Sequence, residues 1–177
     1  STGLPKEGVF AFASSGSNIY AGRASGVSIS TDAGLTWSNT GTSLPATFAY
    51  ALATSGSAVY AAPYGHGVYV STNNGVRWTA SSTGLSNLYI NALRVIGSTI
   101  FAGSGAGVFK STNGGTTWND LTASLSSPSI RSLANSGPNL FAGSSYRAVY
   151  LSSDNGSHWK DVSTGMASID IMALLVS

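Results

Sequence analysis

Cysteine is absent from the 177-residue chain, which excludes a disulfide framework and any thiolate metal site. Charge is scarce: 8% of residues are Asp, Glu, Lys or Arg, against about 25% in ordinary soluble proteins. Glu7 is the one glutamate, and Lys6, Lys110 and Lys160 are the only lysines. The net charge of +2 comes from scattered residues. It lacks the basic run and the aromatic–basic interleaving of a nucleic-acid binder, so no nucleic-acid partner is expected. No apolar run approaches the roughly 20 residues of a membrane-spanning helix. The longest candidate, IMALLVS at the C-terminus, is strand-sized, so no membrane span is expected. No signal-peptide pattern opens the chain; export would require that the signal was removed or lies outside this sequence.

What replaces charge is Ser, Thr, Asn and 22 glycines, a composition poor in helix formers and rich in strand and turn formers. The chain also repeats itself. STDAGLTW at Ser30 returns as STNNGVRW at Ser71, STNGGTTW at Ser111 and SSDNGSHW at Ser152. Trp37, Trp78, Trp118 and Trp159, the only tryptophans, are 41, 40 and 41 residues apart. Three strand-like segments precede each box. In the first unit these are VFAFAS, NIYAG and GVSIS, and in the third NALRVIG, TIFAG and GVFKS. A fourth segment follows each Trp. Apolar alternation or short apolar runs between Gly, Ser and Asn mark strands. Four strands, named a to d here, recurring every 40–45 residues are the mark of β-propeller blades, whose faces are buried only by stacking.

The chain is therefore expected to be all-β and propeller-type, with four four-stranded blades of about 41 residues at 8–44, 48–85, 89–125 and 129–166. An extra C-terminal strand, the first of a further blade, is expected at 167–177. The box predicts the turn between strands c and d. Asp32, Asn73, Asn113 and Asp154 are placed to bond backbone N–H groups two residues on. Gly34, Gly75, Gly115 and Gly156 are placed where φ is positive. Each Trp is expected to open strand d and bury an aromatic surface worth about 3 kcal/mol.

The pattern Ser-x-Asp-x-Gly-x-Thr-Trp resembles the Asp-box, or BNR, repeat. That repeat occurs in sialidases, xyloglucanases, sortilin-type receptors, photosystem II assembly-factor propellers and exported bacterial repeat proteins. The last are closest in style. Residues 30–37 match every fixed position; Arg77 and His158 depart at the seventh position, and Asn73 and Asn113 stand for Asp. The resemblance implies a structural role for Ser30, Ser71, Ser111, Ser152 and the other box residues, because in sialidases the box lies on the rim away from the active site. It carries little information about activity.

The chemistry on offer is thin. A glycosidase needs two facing carboxylates. Outside the boxes stand Glu7, Asp120, Asp161 and Asp170, and Glu7 with Asp170, both on d-to-a links, is the best pair. A sialidase-like site also needs an arginine cluster, and the arginines are Arg23, Arg77, Arg94, Arg131 and Arg147. His66 and His158 have no second ligand beside them, so no metal and no cofactor are expected. The sequon Asn155-Gly156-Ser157 lies inside the fourth box and matters only in a eukaryotic secretory setting. The copies differ most in the b–c loops and d–a links, which share one face in propellers. They supply Arg23, Tyr64, His66, Tyr89, Asn91, Arg131, Tyr146 and Arg147, a set suited to a sugar or a polar peptide.

The expectation is a non-enzymatic binding or scaffold module, extracellular or at the cell surface, with a glycan or peptide ligand. Two alternatives are a fragment of a sialidase-like or other glycoside hydrolase propeller, and a purely structural repeat protein. The ends also speak: STGLP aligns with STGLS at Ser82, and SIDIMALLVS aligns with the first-strand segment LYINALRVIG. The sequence thus looks cut from a longer array or built to continue into another molecule. The apolar series Ile169, Ile171, Leu174 and Val176 offers a strand for self-association. Two chains completing one eight-bladed ring is the expected closed form.

Overall fold

A computed structural model describes residues 2–41, 43–145, 148–166 and 170–174. The chain divides into two compact units, Ser1–Ser82 with Leu88–Ile90, and Thr83–Asn87 with Asn91–Ser177. The first unit carries the sheet β1 (Val9–Ser15), β2 (Asn18–Arg23), β3 (Gly26–Ser30) and β4 (Ser38–Asn39). It also carries the sheet β5 (Ala49–Ser55), β6 (Ala58–Pro63), β7 (Tyr69–Ser71) and β8 (Thr79–Ala80). The second unit carries β9 (Ile90–Ile96) from Asn91 on, β10 (Thr99–Ser104), β11 (Gly107–Ser111) and β12 (Asn119–Asp120), then β13 (Ile130–Ser136), β14 (Asn139–Ser144), β15 (Val149–Ser152) and β16 (Lys160–Asp161). Every sheet is a four-stranded meander in chain order, and the described residues contain no helix. This is a propeller-type fold of four blades.

Within each unit the second sheet packs on the first. In unit 1, Leu52, Val59, Ala61 and Trp78 of the second sheet cluster with Tyr20 and Val27 of the first. In unit 2, Leu133, Leu140, Ala142 and Trp159 cluster with Phe101 and Val108. Strand alternation makes this possible: Tyr20 faces the following sheet while its neighbours Ile19 and Ala21 face the other way. Gly22 exists for the same contact, since a Cβ there would meet the Ala49 carbonyl oxygen at 2.5 Å. Trp78 is 3% exposed; its backbone N–H donates to Ser43 Oγ at 2.9 Å and its indole to Thr40 Oγ1 at 3.3 Å. Trp118 and Trp159 are also buried. Trp37 is only half-buried, a departure from the expected burial. No second sheet of its unit covers it; its ring lies beside Phe12 of its own sheet, and its backbone N–H donates to the Thr2 carbonyl at 3.0 Å.

The boxes close by a different bond from the one expected. The Asp or Asn side chain reaches the backbone N–H four residues on, not two: Thr36 to Asp32 Oδ1 at 2.8 Å, Arg77 to Asn73 at 2.9 Å, Thr117 to Asn113 at 3.0 Å and His158 to Asp154 at 2.9 Å. The buried serine is the hub. Ser71 Oγ donates to Asn73 Oδ1 at 2.9 Å and accepts from the Gly75 N–H at 2.9 Å, and Ser30, Ser111 and Ser152 repeat both bonds. Two consecutive left-handed residues shape the turn, such as Asn74 (φ 57°) and Gly75 (φ 82°).

The segment expected as a fifth first strand is described only at 170–174, where no strand forms. Ile169 and Val176 lie outside the described residues. Ile171 packs on the fourth sheet, its N–H donating to the Ser144 carbonyl at 3.1 Å and its carbonyl accepting from Ser132 Oγ at 3.0 Å. Those backbone groups are thus engaged within unit 2.

Candidate functional site

Three first strands carry an extra residue where they enter the sheet. Val9 faces Arg23 and Ala11 faces Gly22, leaving Phe10 unpaired; the same shift leaves Tyr50 and Arg131 unpaired. Asn91 holds the equivalent repeat position in β9. A bulge re-aims its side chain out of the pleat. The three bulged residues therefore turn towards the end of the sheet that carries the b–c loops and d–a links.

In unit 1 these bulges build a row of rings. Phe10 meets Tyr50 edge-on at 5.2 Å between centroids and Phe48 at 5.6 Å. Phe48 stacks on Tyr50 at 5.8 Å, 9° from parallel. Tyr50 meets Tyr64 at 5.4 Å, and Tyr64 meets Tyr89 at 5.0 Å. Pairs of this geometry contribute about 0.5–1.5 kcal/mol each, which fixes the row without burying it. Tyr64 and Tyr89 are about half exposed, and so nearly are Phe10 and Phe48. Gly65 takes the left-handed conformation of the b–c turn, φ 75°, beside the Tyr89 ring. The Tyr64 N–H ties the same turn to the Phe48 carbonyl at 2.8 Å. Contiguous exposed apolar surface of this kind is uncommon on soluble proteins, which makes the row the candidate site of unit 1.

The other residues named from sequence fall elsewhere. Arg23 is 2% exposed and pairs with Glu7, with Ser25 Oγ at 3.0 Å and with Asn39 Oδ1 at 2.8 Å. The b–c loop position that suggested a ligand contact instead buries a guanidinium inside the first blade. Glu7 is held by Arg23 and by Ser25 Oγ at 2.7 Å. His66 is exposed, with its backbone N–H on the Pro63 carbonyl at 3.0 Å. In unit 2, Asn91 donates to the Ile130 carbonyl at 2.8 Å and so ties neighbouring sheets together. Arg131 Nε donates to Ser145 Oγ at 2.6 Å. Tyr146 and Arg147 lie outside the described residues.

The carboxylates with shifted values belong to the boxes and to one outer strand, and burial in β6 pushes the Tyr60 hydroxyl up. Hydrogen bonds from the Thr36 hydroxyl and backbone N–H, with Ser30, lower the Asp32 carboxyl to about 2. The backbone and ring of His158 hold Asp154 well below the usual carboxylate range. Ser163 lowers Asp161. Among the described residues no three His, Asp or Glu side chains gather as a metal site.

Sequence reading missed Phe10, Phe48 and Tyr50 as members of the row. Phe48 and Tyr50 stand in the divergent d–a link LPATFAY, which was the available signal. Phe10 sits within a segment that reads as a plain alternating strand, and the bulge that re-aims it has no sequence mark.

No protein-family model and no curated protein matches the chain. Its fold is shared with solved structures. An ancestral GH74 enzyme matches 96% of this chain and 27% of its own at TM-score 0.76 and 22% identity. YCF48 bound to D1 peptide matches 92% of this chain and 57% of its own at TM-score 0.73 and 13% identity. The extracellular domain of BT4673 from B. thetaiotaomicron matches 86% and 22% at TM-score 0.71 and 15% identity. The chain thus spans between about a fifth and three fifths of these proteins. Such likeness carries the architecture: the protein is a β-propeller module.

Proposed function

We propose that the chain is a non-catalytic binding module whose unit-1 loop face takes a neutral polysaccharide. The observation that carries this reading is the row Phe10, Phe48, Tyr50, Tyr64 and Tyr89, with neighbouring centroids 5.0–5.8 Å apart. Sugar rings present apolar C–H faces to aromatic rings and hydroxyls to the polar groups beside them. The row is built from uncharged side chains, and Arg23 of the same unit is buried against Glu7. That favours an uncharged ligand over an acidic glycan or a charged peptide. The engagement of Glu7 by Arg23 also weighs against its use as a hydrolytic acid. An extracellular setting accords with this role and with the likeness to the extracellular domain of BT4673.

Affinity electrophoresis through xyloglucan, hydroxyethyl cellulose and mannan tests the reading. Retardation by at least one of them, reduced tenfold or more by Tyr64→Ala combined with Tyr89→Ala, is the expected result. Absence of retardation in all three, retardation untouched by the double variant, or hydrolysis of the polymers would overturn it.

A further inference from the structure

The first sheet repeats the positions of the other three, but one of its faces is open. Phe12 stands opposite Ala21 in the register in which Leu52 stands opposite Ala61 and Leu133 opposite Ala142. Leu52 and Leu133 are buried, whereas Phe12 is 62% exposed. Ile19 holds the place of Val59 and Leu140, both fully buried, and is itself only partly covered. Trp37 holds the place of Trp78 and Trp159 and is half-buried. Phe12 and Trp37 lie 6.4 Å apart between ring centroids. With Ala13, Ser14 and Ile19 they line an open depression of about 440 Å³.

The chain itself shows what covers such a face. Leu52, Val59 and Trp78 are covered by Tyr20 and Val27 of the preceding sheet. Leu133, Leu140 and Trp159 are covered by Phe101 and Val108. The natural occupant is therefore the opposite face of another sheet of this repeat, with an aromatic ring at the Tyr20 position. One such ring is only partly covered, on a face where Ile171 alone stands against Gly143. Phe141 holds the place of Tyr20, Tyr60 and Phe101, which are all buried, yet Phe141 is partly exposed.

We infer that the Phe12–Ile19–Trp37 face is an interface for a second copy of this chain, which docks the Phe141 face of its fourth sheet there and displaces residues 170–174, whose Ile171 lies against Gly143 as Ala49 lies against Gly22. The two surfaces differ, so the contact is heterologous: it generates a closed ring or an open filament. The short N-terminal segment is already in position to flank the joint. Thr2 donates its N–H to the Leu35 carbonyl at 2.9 Å, and a Cβ on Gly3 would collide with the Trp37 backbone.

Light scattering on the whole chain, with and without Phe12→Asp, tests the interface. The chain should run as a dimer or larger species, and Phe12→Asp should shift it towards the single-chain mass with an unchanged circular dichroism spectrum. The absence of native cysteine permits a second measurement that does not depend on that variant. Phe12→Cys and Phe141→Cys chains, mixed and treated with a short bismaleimide, should cross-link to each other several-fold more than either does alone. A single-chain mass at every concentration, association unaffected by Phe12→Asp, or cross-links only between like variants would overturn the inference.

Discussion

Ser71 Oγ receives the Gly75 N–H at 2.9 Å, and the pair is buried at the centre of its turn. The same hydroxyl donates to Asn73, so one buried oxygen satisfies a backbone group and orients the side chain that closes the turn. Removing it leaves the Gly75 N–H unpaired, at a cost of about 1–3 kcal/mol. Ser71→Ala and Ser111→Ala are each expected to lower stability by that amount in urea titrations. Asn113→Ala removes more exposed bonds and is expected to cost less.

The tryptophans are not equivalent. Trp78→Ala is expected to cost about 3–5 kcal/mol, as truncation of a buried aromatic does, because the ring is enclosed by Tyr20, Val27, Leu44 and Leu52. Trp37→Ala is expected to cost less than half as much in a single chain, since part of that ring already meets water. Equilibrium denaturation of the two variants under one set of conditions makes the comparison.

Arg23 ties the Glu7 segment to β2 and, through Asn39, to β4. Substituting one member of a buried ion pair leaves the other uncompensated. Arg23→Met with Glu7 retained is expected to destabilise the chain by about 3 kcal/mol. The double variant Arg23→Met, Glu7→Gln is expected to recover part of the loss, and a double-mutant cycle measures the coupling.

The first and fourth boxes confer acid sensitivity. The Asp32 carboxyl falls from 3.8 to about 2 because the native turn bonds its ionised form. A depressed folded-state value means that the stabilisation is complete above the unfolded value and drains away as pH falls from about 4 towards 2. Asp154 adds a loss of the same sign. The variant Asp32→Asn with Asp154→Asn copies the native second and third boxes. It is expected to fold at neutral pH and to show a flatter dependence of melting temperature on pH across that window.

The blade count, the strand order and the position of each turn were legible in the sequence. Four boxes at one spacing leave little freedom, and period-two alternation assigns each strand a face. Tyr64 was legible as a site candidate because it breaks an otherwise small-residue b–c loop pattern, and Tyr89 because the d–a links diverge between copies. Arg23 stood out because the b–c loops differ between copies, and the carboxylate sixteen positions earlier in the chain that buries it had no mark in the sequence. Phe10 and Tyr50 depended on a bulge. A one-residue shift in register re-aims a side chain without altering the composition of the strand.

By itself the sequence determined a four-sheet, all-β repeat with a serine- and Asx-closed turn before every Trp, because local propensity, turn chemistry and periodicity act over a few residues. Only the tertiary structure decided which aromatics join into one exposed row, which arginine is buried, and which of four equivalent faces is left open. Those outcomes depend on burial and on contacts between residues 14 to 40 positions apart, where the same residue type at the same repeat position ends up covered or bare according to whether a sheet stands in front of it.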